Sequence, residues 1–487
     1  MGFCLKSIAK ILSRVLAMLG ASMFLPVITA LAYGEDDCVR SFLVVALPCI
    51  FSGVILQRVI PYSRHNMRLR DGFLLVTLTW LLLASIAAIP VVISGSMASW
   101  FDAFFEMCSG FSTTGATVCN DVEALPHAVL LWRSFSHWIG GMGILVFAIA
   151  WMPALGISGQ EIAEAETPGP VLSKVTPKMS ETARDLYFIY IAFTLIETVL
   201  LMIGGMGLFD AVTHSFATVG TGGFGNYNDS IAHFGSAYID IVITVFMLLS
   251  GINFNLYFFV LRGKVSIAVK DDEFKAYILI FTVATLIIAF YGTFSNTFDG
   301  FFEGLHQAAF QVASILTTTG FSTCDFALWP PLCMMVLFVL FFIGGCSSST
   351  GGGIKVVRVL IMIRMIGRSA ALKLHPNAYI TIKYNNRKFS TDTVQGICAF
   401  VCLYLFTLFA VTLWVALDNY DMVTSFTATA SCLGNIGPGF SSVGPAENFG
   451  IFSNSVKLVL SLTMITGRLE LFTILMMFSR RFWLPDE

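Results

Sequence analysis

The chain has 487 residues, 56% of them hydrophobic and only 12% charged. A water-soluble domain carries about 25% charged residues, so this composition belongs to a polytopic membrane protein whose first partner is the lipid bilayer. The formal net charge of −2 points to no nucleic acid or other charged partner; the placement of the charges is more informative than their sum.

From the N-terminus, Lys6, Lys10 and Arg14 precede an apolar run that continues to about Ala32. That is too long for the core of a cleaved signal, and it reads as a retained first span. Further spans of about 20 apolar residues are expected near 39–60, 72–93, 129–152, 185–206, 236–260, 276–293, 332–366, 396–417 and 455–479. This makes ten with the first at 11–32, and only the eighth is interrupted. Apart from Arg40, Arg133, Lys457 and Arg468, the lysines and arginines fall at the N-terminus, in the connections leading from even to odd spans, or at the C-terminal end. The intervening connections carry acids such as Glu35, Asp121, Asp229 and Glu447. The positive-inside bias therefore predicts both termini in the cytoplasm. The 11 cysteines are scattered through apolar segments without metal-ligand spacing and read as small apolar residues.

After two spans the chain becomes periodic. Each later pair brackets a short apolar segment followed by a hydroxyl- or amide-bearing glycine turn. The expected fold is an all-α polytopic membrane protein, with two extra N-terminal spans (1–70) and four parallel M1–pore loop–M2 repeats (71–184, 185–275, 276–394 and 395–487). Four parallel copies in one chain can close into a pseudo-fourfold ring. Segments such as Phe101–Ser112 and Phe302–Thr317 are too short to cross, and non-helical backbone at that depth must be buried or line water. As re-entrant helices they would aim their C-terminal ends, partially negative, at the membrane centre, which favours a cation. Asp102 and Asp210 are expected as caps at the opposite ends.

The second turn offers Gly220 and Gly223. Asp102 lies as far before Gly115 as Asp210 lies before Gly223, so Gly223 is chosen over the potassium-channel-like Thr-Val-Gly. The aligned turns are Thr113-Thr114-Gly115, Thr221-Gly222-Gly223, Thr318-Thr319-Gly320 and Asn435-Ile436-Gly437. Glycine reaches left-handed dihedrals cheaply and lets successive carbonyls face one side. A single such turn reads first as a helix C-cap; four in register read as a ring of oxygens replacing a cation's water shell.

The eighth span breaks at Gly344, Gly345, Cys346, Ser347, Ser348, Ser349, Thr350, Gly351, Gly352 and Gly353. Such a run cannot face lipid. It is not a phosphate-binding loop either, because Ile354-Lys355-Val356 follows the last glycine where Lys-Ser/Thr is required. An intramembrane gating loop at 344–353 fits better, with structural packing as the alternative. Arg468, in the middle of the tenth span, is expected to face the cavity beneath the turns, limit cation occupancy and bond the loop carbonyls. Its neighbour Glu470 faces elsewhere on a helix.

Together the turns, the run Gly344–Lys355 and the stretches Gly140-Gly141-Met142-Gly143, Glu166-Thr167-Pro168-Gly169-Pro170, His375-Pro376-Asn377-Ala378 and Gly467-Arg468-Leu469-Glu470 resemble the Trk/Ktr/HKT superfamily of potassium transporters, in particular the bacterial TrkH-type subunit. The resemblance covers nearly the whole chain. It implies K+ as the transported ion, bound in a filter of turn carbonyls, and no organic cofactor. It further implies a homodimer in the cell (inner) membrane and a cytoplasmic nucleotide-binding, RCK-type regulatory subunit that opens the pore. A serine at the first filter glycine accompanies sodium transport in that superfamily, and Gly115 here implies potassium. The alternative is a symporter coupled to protons or sodium, with Glu197 and Asp240 as coupling groups. An enzyme is not expected: His137 and His214 stand without a nucleophile or metalloprotease motif.

Overall fold

The computed structural model describes residues 4–61, 68–143, 179–385, 387–389 and 391–484. Among the described residues the regular structure is helical, apart from one antiparallel hairpin, Lys383–Tyr384 against Arg387–Lys388. The motif at Glu166–Pro170 and the latter part of the expected fourth span lie outside the described residues.

The N-terminal region consists of α1 (Leu5–Ser22) and α2 (Phe24–Tyr33), which together form one span, followed by α3 (Asp36–Val59). Gly20 and Gly53 allow α1 and α3 close approach, since a methyl group on Gly53 would sit 2.6 Å from the Ser13 carbonyl oxygen. The four repeats each begin with a long apolar helix: α4 (Leu69–Ile93), α7 (Met179–Ile203), α12 (Asp272–Phe294) and α16 (Thr391–Val415). Among the described residues these four and the two N-terminal spans are the helices long and apolar enough to cross a membrane unbroken. Each is followed by a short helix with a buried C-terminal half: α5 (Trp100–Phe111), α8 (Leu208–Val219), α13 (Phe301–Leu316) and α17 (Met422–Gly434). The four units run parallel in a pseudo-fourfold arrangement.

The second helix of the repeats departs from expectation. Interruption was expected in the eighth span alone, yet the sixth and tenth are broken as well. In the second repeat α9 (Ala237–Gly251) turns by 95° into α10 (Phe254–Leu261), which the short α11 (Val265–Lys270) follows. In the fourth, α18 (Asn454–Arg468) turns by 113° into the segment Phe472–Phe478. In the third, α14 (Pro331–Leu340) gives way to the glycine-serine loop and then to α15 (Val356–Leu374). In the first repeat α6 ends at Gly141 (His127–Gly141).

Apolar composition hides such breaks, because hydropathy does not record where carbonyls go. At Gly251 the cause is packing: a methyl group there would meet the Tyr277 hydroxyl at 2.5 Å, and the Asn253 side chain restarts the helix by accepting from the Asn255 amide. Beyond Arg468, Glu470 and Leu471 both adopt left-handed dihedrals, φ 57° and 47°. This strained reversal survives because its neighbours hold it: Leu471 N–H bonds back to Thr466 O at 2.9 Å.

The expected caps are also corrected. Ser99, not Asp102, is the N-cap of α5, accepting from Asp102 N at 3.1 Å. Asp102 is free to take Lys457 Nζ at 2.6 Å. Gly207 precedes α8 without a side-chain cap, and Asp210 instead accepts from Asn226 at 2.8 Å and Tyr227 at 3.1 Å. Both acids sit inside the first turn, where the helix dipole favours them as well.

Candidate functional site: the ring of turns and the loop against it

The four short helices end in the same backbone geometry. Thr113, Thr221, Thr318 and Asn435 take left-handed dihedrals, with φ between 54° and 58°. The next residue in each turn returns its N–H to the helix at the same offset: Thr114 to Ser109 O, Gly222 to Ala217 O, Thr319 to Ser314 O and Ile436 to Ser431 O, at 2.8–3.0 Å. The third residue is Gly115, Gly223, Gly320 or Gly437, with φ from 77° to 106°. A left-handed C-cap therefore exists in each turn, but its residue is Thr or Asn rather than the glycine. The second-repeat register on Gly223 is the one whose dihedrals match the other three; Gly220 is an ordinary right-handed residue with φ −69°.

The glycines lock these turns into a closed cycle. A methyl group on Gly115 would lie 2.2 Å from Gly222 O, one on Gly223 2.0 Å from Thr319 O, one on Gly320 2.2 Å from Ile436 O, and one on Gly437 2.8 Å from Thr114 O. Each turn thus sets its glycine against the middle carbonyl of the next, and the fourth returns to the first. Only glycine permits both that approach and that dihedral. A side-chain bond also ties the last seam, Asn435 Nδ2 donating to Thr114 Oγ1 at 3.0 Å. On the side where the chain leaves the turns, a cavity opens between Gly115, Gly223, Gly320 and Gly437, walled by Asn120, Asn228, Glu447 and Asn448.

The opposite side is covered by residues 344–353. A methyl group on Gly351 would meet Thr317 O at 2.8 Å, and one on Gly352 would meet Gly434 O at 2.6 Å. Gly352 N–H donates to Thr318 Oγ1 at 2.7 Å. Backbone at this depth needs every polar group paired, and the α9–α10 break of the second repeat supplies partners. Gly251 O accepts from Cys346 N at 2.8 Å, Ser250 O accepts from Thr350 Oγ1 at 3.1 Å, and Ser348 O accepts from Phe254 N at 3.1 Å. Gly344 N–H closes the loop's own neck on Ile354 O at 2.8 Å, where a methyl group on Gly344 would strike Gly352 O. Gly353, with φ 66°, and Ser348, with φ 53°, make the reversals, while Val356 N–H returns to Gly345 O at 3.2 Å.

Three charged groups hold this loop. Arg468, 7% exposed, donates to Thr350 O at 2.5 Å and Gly351 O at 3.4 Å, and through its other nitrogen to Gly140 O at 2.8 Å and Gly141 O at 2.7 Å. A buried guanidinium is costly unless its donors are met; here it serves carbonyls of the loop and carbonyls at the C-terminal end of α6. Lys355 donates to Gly351 O and to Ser349 Oγ at 3.4 Å. Glu273, fully buried at the start of α12, accepts from Ser347 N at 2.7 Å, Ser347 Oγ at 2.6 Å and Val357 N at 3.1 Å. Glu470 pairs with Arg358 rather than Arg468.

The expected filter residues thus lie in the ring and residues 344–353 in the loop against it, while Arg468 reaches the loop from the end of α18, and Glu197 and Asp240 lie apart from both, in α7 and α9. Glu273 and Lys355 were not singled out from sequence. Glu273 is one of three consecutive acids, Asp271-Asp272-Glu273, in an otherwise basic connection, and that misplaced charge was the available signal.

Comparison with known proteins agrees with this architecture. Residues 46–484 match the family described as TrkH, cation transport protein. The chain is 36% identical to the Trk system potassium uptake protein TrkH of Escherichia coli K12 and 37% identical to that of Vibrio parahaemolyticus, in each case over 98% of this chain and 99% of the relative. It is 34% identical to TrkG of Escherichia coli K12 over 95% of both chains. The crystal structure of the potassium transporter TrkH from Vibrio parahaemolyticus superposes with a TM-score of 0.89 at 35% identity, over 99% of this chain and 100% of that one. The protein is a member of the TrkH family of cation transport proteins.

Proposed function

We propose that this chain takes up potassium through a channel-like pore at the ring of turns, and that the loop at 344–353 is its gate. The observation that carries the reading is the closed cycle of glycine–carbonyl contacts at the C-terminal ends of four short helices. Backbone oxygens held in such a ring replace a cation's water shell, and the helix ends add negative potential. The related uptake proteins named above transport potassium. The ion enters from the Asn120–Glu447 mouth, taken as external from the positive-inside bias, and passes the filter Thr113–Gly115, Thr221–Gly223, Thr318–Gly320 and Asn435–Gly437.

Below the filter Gly351 and Gly352 stand in the path, held by Arg468, Lys355 and Glu273. A cytoplasmic nucleotide-binding regulatory subunit, acting on a homodimer of this chain in the inner membrane, supplies the work of displacing the loop. A second reading, symport coupled to protons or sodium, draws on Glu197, a carboxylate fully buried in α7.

Rubidium uptake in cells lacking their own potassium transport tests the class; no uptake above the empty vector would refute it. A reversal potential in reconstituted membranes separates the two readings. It follows the potassium gradient alone for a channel, and shifts with an imposed proton or sodium gradient for a coupled carrier.

A further inference from the structure

The four short helices place different chemistry at one equivalent position. The same offset from Gly115, Gly223, Gly320 and Gly437 lands on Glu106, His214, Gln311 and Ala428, all fully buried. Among the described residues only Glu106 of these four meets an arginine. Arg133 Nε donates to Glu106 Oε1 at 2.7 Å, both side chains being almost wholly enclosed. The remaining guanidinium nitrogens reach Thr117 Oγ1 and Gly225 O, each at 3.4 Å, and the guanidinium carbon lies 4.1 Å from the centre of the Phe224 ring. Glu106 in turn accepts from Thr117 Oγ1 at 2.9 Å and Val118 N at 3.0 Å. One ion pair thus grips the segment leaving the first turn and the segment leaving the second.

We propose that the Arg133–Glu106 pair is a positioning element that fixes the spacing of the first and second filter turns and thereby sets discrimination between potassium and sodium. This rests on the filter reading above. Whether a carbonyl filter selects by cavity size or by field strength, its oxygens must be held in place, to within about 0.5 Å for a preorganised site. A buried ion pair is a poor way to add stability, since apolar packing of equal volume does as well. Its contribution is geometric: the guanidinium is a rigid planar fork that addresses a carboxylate, a hydroxyl and a carbonyl from one centre, and lysine cannot do this. The pair is neutral overall, so it places no net charge against cations entering the mouth.

The test is the potassium-to-sodium permeability ratio from bi-ionic reversal potentials of the reconstituted full-length protein, with thermal unfolding recorded alongside. Arg133→Lys and Glu106→Gln should still conduct potassium but lower the ratio by about fivefold or more, the scale on which a lost hydrogen bond to a charged group acts. Thr117→Val leaves the ion pair in place and cuts the links of both its partners to the Thr117 hydroxyl, and should lower the ratio by a smaller factor. Folded Arg133→Lys and Glu106→Gln proteins with an unchanged ratio would overturn the proposal. If neither folds, Thr117→Val decides, and an unchanged ratio there overturns it. A wild-type reversal potential indifferent to potassium would instead overturn the filter reading, before any substitution is made.

Discussion

Arg468 and Thr350 are joined by a guanidinium nitrogen donating to a carbonyl oxygen at 2.5 Å, which ties the last repeat to the loop of the third. The same side chain holds Gly140 and Gly141 of the first repeat. Replacing Arg468 by alanine releases both sets of carbonyls. Basal rubidium flux without a regulatory partner should rise several-fold, and stability should fall by about 1–3 kcal/mol for the buried acceptors left unmet. Flux into proteoliposomes and a melting curve measure the two effects; flux and gating indistinguishable from wild type would refute the gate assignment.

Glu273→Ala removes a carboxylate that accepts three hydrogen bonds and leaves the Ser347 and Val357 N–H groups without that acceptor. The loop then loses its anchor at Ser347 while the ring is untouched. The expected result is raised basal flux with unaltered potassium-to-sodium selectivity. A selectivity change without a flux change would contradict the division between ring and loop.

Gly223→Ala puts a methyl group 2.0 Å from Thr319 O on a backbone with φ 77°. Potassium conduction should fall at least about tenfold, from strain and from the displaced carbonyl together. Gly320→Ala should behave alike against Ile436 O. Uptake rates at equal membrane abundance decide, and normal uptake by either variant would remove that turn from the filter.

Beside the cavity walled by Asn120 and Glu447, the Asn228 side-chain amide donates to Asp121 at 3.0 Å and holds that carboxyl below its ordinary range. A lowered folded value means that the contribution of this tether is present above the ordinary carboxylate pKa, about 3.9, and disappears as pH falls through the lowered value. The contact therefore persists unchanged from pH 5 to 8. Asn228→Ala should return the Asp121 titration toward its ordinary value, as read by NMR of a labelled carboxyl.

The repeats, the turn register and the break of the eighth span into a glycine-serine loop were legible because each carries a compositional mark: apolar length, glycine with hydroxyls, and a polar run between apolar stretches. The match of Asp102–Gly115 spacing to Asp210–Gly223 was enough to pass over Gly220. The bends after Gly251 and Arg468 were not legible. Both bends sit in stretches that pass as continuous apolar spans, and hydropathy marks neither the approach of Tyr277 to Gly251 nor the positive-φ reversal at Glu470–Leu471. Glu273 escaped for a related reason, since the amides it serves are distant in sequence. Arg133 stood out as a cation on the wrong side of the charge pattern, but its partner could be found only once α5 and α6 were packed together.

The ring of turns is written once along a single polypeptide, and this changes what a mutation can do. In a pore assembled from identical subunits every substitution is copied around the axis, so its effect is all or nothing. Here the quarters are independently addressable. Threonine, glycine and isoleucine occupy the middle place of different turns, and ionic, imidazole, amide and methyl side chains stand behind them. If the ring is the filter proposed above, selection can adjust ion preference in small steps, one seam at a time, while the other three keep the pathway open.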